Sequence, residues 1–170
     1  MTRPFLLLSS LVLLLLQMSA CKSVARKEHE DSKKAKWQTL EVAAASDRVL
    51  WQITLLSLQN LGYPLASGSD AGARQVESGW KTDLQPFRGE GERRRAVVKM
   101  APLGPGRWKL DARVLVEKNQ NLVSPLDPVR AEWETTADDE ATAKVLLRKI
   151  GARLGSDVDF KPTTPEKGHG

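Results

Sequence analysis

The chain has 170 residues, of which 41% are hydrophobic and 28% charged, with one cysteine and two histidines. That length suits a single domain with a core of its own, and that balance excludes both a disordered polyelectrolyte and a bundle of membrane spans. A lone cysteine excludes an internal disulfide framework and a zinc site built on cysteine pairs.

The amino terminus is the least polar stretch. Arg3 is the only charge in the first twenty residues, and Phe5 to Leu16 is apolar except for Ser9 and Ser10. A helix of that length rises about 18 Å against roughly 30 Å of hydrocarbon, so the run predicts a signal-peptide core and not a span. Ser19, Ala20 and Cys21 follow. This ending resembles the lipobox of bacterial lipoproteins, in which a small residue precedes a cysteine that is lipidated and becomes the new amino terminus. Met18 stands where that family usually carries Leu, and is likewise long and apolar. The resemblance implies a signal peptide over 1–20 and membrane attachment through lipid on Cys21, where two or three chains hold stably and one alone does not. Lys22, in place of the Asp that retains such proteins elsewhere, implies the periplasmic face of the outer membrane. The competing reading is ordinary secretory cleavage near Ala20, leaving a free thiol.

Residues 22–36 hold six cations against three acids, whereas from Trp37 onwards 19 Lys and Arg face 18 Asp and Glu. The folded part is therefore nearly neutral, and nucleic-acid binding, which needs a basic face on the domain, is not expected. The basic excess lies where anionic headgroups would meet it. Residues 21–36 read as a solvated, lipidated tether, about 22 Å end to end as a flexible coil and at most about 55 Å extended. Residues 37–157 read as the globular domain and 158–170 as a flexible tail.

Within the domain, Trp37 to Val42 predicts a strand. Ser46 is an N-cap with Asp47 at the positive end of the helix that follows, and Val49, Leu50, Ile53, Leu56 and Leu61 give its buried face, widened by Trp51, Leu55 and Leu58. Gly62 and Pro64 end it. Extended runs follow at Tyr63–Ser67 and Gln75–Asp83, separated by a turn-rich stretch from Gly68 to Gly72. A flexible segment at Pro86–Gly91 leads to a run at Arg94–Ala101. Pro102, Gly104, Pro105 and Gly106 make a hairpin connection. Trp108, Leu110, Ala112, Val114 and Val116 then alternate with mostly polar residues, the period of a half-wet strand. Asn119–Arg130 carries Pro125 and Pro128 and no period, so it reads as a loop, and Glu132–Glu134 as a short strand. A second helix starts near Thr136–Asp138, lines one face with Ala143, Leu147, Ile150 and Leu154, and closes at Gly155.

The order β-α-β-β-β-β-α predicts an α+β, two-layer domain, an antiparallel sheet of four to five strands covered by two helices. The stretch Asp47–Leu61, Gly62, the acidic turn at Asp70 and the strand end at Gly79–Trp80 also resemble the BamC lipoprotein family of the outer-membrane β-barrel assembly machine. That resemblance implies a helix-grip fold; members carry two such domains, and this chain has room for one.

Chemistry-bearing residues are few. His29 lies in the tether and His169 beside the carboxyl terminus, so the domain has no histidine for general-base work or metal ligation. No Walker-type loop is present, and Gly89-Glu90-Gly91 and Gly104-Pro105-Gly106 lack the strand-to-helix context that gives such spacing meaning. Neither a catalytic set, a metal site nor a cofactor is expected. Glu90 and Glu92 are near enough for a carboxylate-pair hydrolase, but stand beside Arg93, Arg94 and Arg95, where charge pairing is the simpler meaning. Those arginines could clamp phosphates, with lipopolysaccharide as the natural target, or merely protect a sheet edge. Trp51 and Trp108 fall on expected core faces, Trp37 and Trp80 near strand ends, and Trp133 beside the long loop. Trp80, Trp133, Arg93, Arg94 and Arg95 are thus the candidate contact surface, and the 119–130 loop a candidate recognition element. The function expected is a non-catalytic envelope lipoprotein binding a protein partner of an assembly or transport machine; the alternative is a lipid or small-ligand carrier.

Overall fold

A computed structural model describes residues 35–65, 68–85 and 90–155. The predicted signal peptide, Cys21, nearly all of the tether, both histidines and the predicted tail lie outside them. The chain divides into two units, Met1–Ala35 and Lys36–Gly170, and the fold below is that of the second.

The fold is α+β, with one antiparallel sheet and two helices. In chain order the elements are β1 (Gln38–Ala43), α1 (Asp47–Asn60), β2 (Gln75–Glu77), β3 (Lys81–Gln85), β4 (Glu90–Gly104), β5 (Arg107–Asn119), β6 (Trp133–Thr135) and α2 (Glu140–Arg153). Long β4 and β5 form the centre, and each outer row is shared by two short strands. Alongside β5 run β1 and then β6; alongside β4 run β2 and β3. Six strands thus occupy four rows, one strand more than the upper expectation.

The extra strand comes from a break in the predicted run Gln75–Asp83. Ser78 and Ala96 exchange backbone and hydroxyl hydrogen bonds, with Ser78 N donating to the Ala96 carbonyl and Ala96 N donating to Ser78 Oγ. Leu65 pairs with Ser78, and Gly79 N donates to the Pro64 carbonyl at 2.7 Å. The segment leaving α1 therefore docks where β2 would otherwise continue into β3. Correspondingly, β4 starts at Glu90, inside the segment expected to be flexible. Gly106, with φ of +69°, turns β4 into β5, a conformation open to glycine at no steric cost.

The strict alternation of β5 sets the two faces. Trp108, Leu110, Ala112, Val114 and Val116 are buried, as their period predicts, and Ala96, Val98 and Met100 of β4 lie beside them. Against this face pack Leu50 and Leu58 of α1 and Ala143, Leu146, Leu147 and Ile150 of α2. Each fully buried Leu or Ile contributes about 1.5–3 kcal/mol of hydrophobic stabilisation.

The buried stripe of α1 differs from expectation. Leu50, Thr54, Ser57 and Leu58 are buried, whereas Val49 and Leu56 face solvent and Trp51, Ile53 and Leu61 are only partly covered. Thr54 tolerates the interior because its hydroxyl donates to the Leu50 carbonyl one turn back, at 2.9 Å, so its own polar group is paired. Its hydrophobicity misleads, while its small size suits a helix lying close on a sheet. Asp139, one residue beyond the expected start, caps α2: its carboxylate accepts from Thr142 N at 2.8 Å and from the Thr142 hydroxyl at 2.6 Å.

Candidate contact surface

Odd-numbered residues of β4 and β5 point away from the helices. Register places Arg93 opposite Glu117, Arg95 opposite Leu115, Val97 opposite Arg113 and Lys99 opposite Asp111. On the outer rows Thr39, Thr82 and Thr135 share that face through their pairing with Asp111, Arg93 and Glu117. Counting back in twos, Trp37 and Trp80 lie on it as well, as does Trp133. Three of the five tryptophans thus stand on the helix-free face, each half-buried.

Each of the three meets a cation. The Arg93 guanidinium lies 4.4 Å from the Trp80 ring centre and 4.5 Å from that of Trp133, and Arg95 lies 4.7 Å from Trp80. Lys99 Nζ is 4.7 Å from Trp37, whose ring reaches across β5. Such contacts are worth about 0.5–1 kcal/mol each when exposed and more when desolvated. Carboxylates complete the set. Arg93 Nη2 is 2.6 Å from Glu117, and Arg95 Nη1 is 2.6 Å from Glu77. Arg113 Nε is 2.6 Å from Asp138, whose side chain is only 3% exposed. The outcome is a transverse stripe, from Trp80 at one edge through Arg93, Arg95 and Glu117 to Trp133 at the other. Val97 is buried beneath these long side chains despite having no helix above it, since arginine stems cover apolar surface while their heads stay wet.

Arg94 does not belong to this surface. It points to the helix side, where Nη2 is 2.5 Å from Glu92 and Nε 3.5 Å from Asp139. Tyr63, buried between the end of α1 and the start of α2, shares this environment. Burial pushes its phenol up to about 12, the Arg94 charge drawing it down and that of Asp139 raising it. For Asp139, burial raises the carboxyl, but hydrogen bonds from Thr142, the Arg94 charge and the Ala141 N–H outweigh it, leaving the group below its ordinary range. This cluster fastens the helix layer to the sheet.

The structure thus brings Trp80, Trp133, Arg93 and Arg95 together and sends Arg94 elsewhere. Glu117, Glu77 and Arg113 join the surface without having been singled out from sequence, and Trp37, expected near a strand end, joins it too. The signal for them was the β5 alternation itself: once Trp108 to Val116 are buried, Arg113 and Glu117 must face outward. Among the described residues no group of three His, Cys, Asp or Glu side chains is placed to hold a metal ion. A cavity of about 230 Å³ lies elsewhere, lined by Asp47, Arg48, Trp51, Ala71, Arg74 and Met100.

Chemically, the stripe is a flat aromatic surface whose charges are compensated from within. Arg93 and Arg95 are each committed to a carboxylate and an indole, so free phosphate-binding capacity is small. Half-buried Trp and Arg on a rigid sheet instead match the groups that anchor protein–protein interfaces. No protein-family model matches this chain, and no curated protein matches it.

Proposed function

We propose that this chain is a non-catalytic envelope lipoprotein, held by lipid on Cys21 at the periplasmic face of the outer membrane, that binds a protein partner of an assembly or transport machine through the helix-free face of its sheet. The observation that carries the reading is the stripe Trp80–Arg93–Arg95–Trp133, a rigid Trp/Arg surface with its charges neutralised in place. A rigid aromatic surface loses little side-chain entropy on docking, and compensated charges cost less to desolvate than free ones. The lipobox-like ending at Cys21 and the short tether support the location.

The test is crosslinking in intact cells followed by recovery of the wild type and of the Trp80→Ala/Trp133→Ala double variant. A partner recovered with the wild type and lost with the double variant, at equal abundance of both chains, is expected. Identical recovery with both, or no crosslinked protein with either, would refute the reading. The second reading, a small-ligand carrier, draws on the cavity between α1 and the 71–74 turn. Its volume of about 230 Å³ falls below the roughly 300–1,000 Å³ of ordinary ligand pockets, which favours the contact surface.

A further inference from the structure

The connection between β5 and β6 combines two properties that rarely coexist: it is internally fastened, and three of its aliphatic residues stand almost fully exposed. Leu122 is 91% exposed, and Val123 and Val129 are each 93% exposed. Yet Asn119 Oδ1 accepts from Asn121 N and Glu132 N, closing the base, while Asn119 Nδ2 donates to the Pro125 carbonyl. Asn121 Oδ1 accepts from Val123 N and Ser124 N, and Asn121 Nδ2 donates to the Arg130 carbonyl. Asp127 Oδ1 accepts from Val129 N. The seat on β4 is equally close, because a Cβ on Gly91 would stand 2.8 Å from the Pro125 carbonyl oxygen. Hydrogen-bonded side chains thus hold the backbone while three aliphatic side chains project into solvent, an arrangement that costs exposure and serves contact.

We infer that the apolar tip of this loop, Leu122, Val123 and Val129, inserts into the lipid surface to which the chain is tethered. The inference rests on the anchor proposed above and adds a second point of membrane contact. Two observations favour lipid over protein. First, the three most exposed side chains of the loop are all aliphatic, and Leu and Val are under-represented among residues that anchor protein interfaces, whereas the Trp/Arg stripe lies on a different surface. Second, the chain reaches the domain at the right place. Gln38 pairs with Ala112 and β6 pairs with Glu117–Asn119 along the same edge of β5, so the residues before β1 run towards β6. Lys36 N donates to Asp138 there, just beyond β6. From the Gln38 pairing to the loop base is about 24 Å along the strand, and the residues between Cys21 and Lys36 extend to at most about 55 Å. Both contacts can be made at once. Arg130, largely exposed beside the tip, is held 3.6 Å from Asp127 in a loose surface ion pair, which anionic headgroups could compete for.

Cys21 is the only cysteine, so Val123→Cys in the purified full-length lipoprotein offers a single free thiol for an environment-sensitive dye. The labelled protein is reconstituted into phosphatidylethanolamine/phosphatidylglycerol vesicles with and without spin-labelled lipid. Co-flotation with the vesicles, a blue-shifted dye and quenching by spin-labelled lipid are expected, with quenching lost when Leu122→Ser and Val129→Ser are added and the melting temperature is unchanged. Co-flotation with a water-like, unquenched dye overturns the insertion and leaves the anchor standing. A dye shielded only when envelope proteins are supplied overturns lipid in favour of a protein ligand. Protein that carries no lipid and fails to float overturns both readings.

Discussion

Arg93 and Arg94 are adjacent in the chain and belong to different halves of the molecule. A strand sends successive side chains to opposite faces, so Arg93 joins two indoles and Glu117 while Arg94 turns inward to Glu92 and Asp139. Three consecutive arginines therefore resemble one basic cluster in sequence, whereas in space only Arg93 and Arg95 share a face, each neutralised by a carboxylate. Legibility failed here because parity needs a reference strand: the wet and buried faces of β4 follow only from its register with β5. Trp133 and Trp80 were recognisable as candidate contact aromatics, but that one guanidinium touches both depends on pairings between strands distant in sequence. Replacing Arg93 removes two cation–π contacts and an ion pair that is largely shielded from solvent. Arg93→Ala should cost about 1–2 kcal/mol in chemical denaturation and change tryptophan emission, whereas Arg93→Lys should restore only part, having no planar group to lay on the rings. Unchanged stability and emission would mean that the stripe is not coupled as described.

Among the elements, those with strong local signals were legible and those defined by tertiary contacts were not. The alternation of β5 predicted its burial residue by residue, and Ser46 and Gly62 delimited α1. The break between β2 and β3 left no local trace, since it is imposed by the segment after α1 docking at Ser78 and Gly79. Helix α2 depends on Asp139, which caps its amino terminus and meets Arg94 from the sheet. Asp139→Ala should destabilise the domain by about 1 kcal/mol, within the usual range for a lost cap. Because the folded-state carboxyl sits below its ordinary value, its contribution is fully present above about pH 4 and fades as pH falls through the lower folded value. Thermal melts of wild type and Asp139→Ala should therefore converge on acidification below about pH 4. Curves that stay parallel throughout would assign the loss to something other than the charged cap.

At the scale of the molecule, the α+β class, the helix count and the two-layer plan were all readable, because two amphipathic helices and a half-wet meander admit few other arrangements. The face proposed for contact was not, since it is composed of side chains brought from four rows of a sheet. The proposed anchor makes the most direct whole-molecule prediction. Cys21→Ser should move the chain out of the membrane fraction on cell fractionation, or trap it with its leader uncleaved, while leaving the folded domain intact by circular dichroism. Mature, leaderless protein that remains with membranes after that change would show that lipid on this residue does not hold it.

Lys36 is fastened at its backbone to Asp138 and through Nζ to Glu140 at 2.8 Å, and the strand that follows lies in six-residue register with β5. Antiparallel hydrogen bonds run perpendicular to their strands. If the proposed anchor holds the chain, a pull on the residues before β1 along the strand axis would load those rungs together in shear, after first straining the two contacts of Lys36.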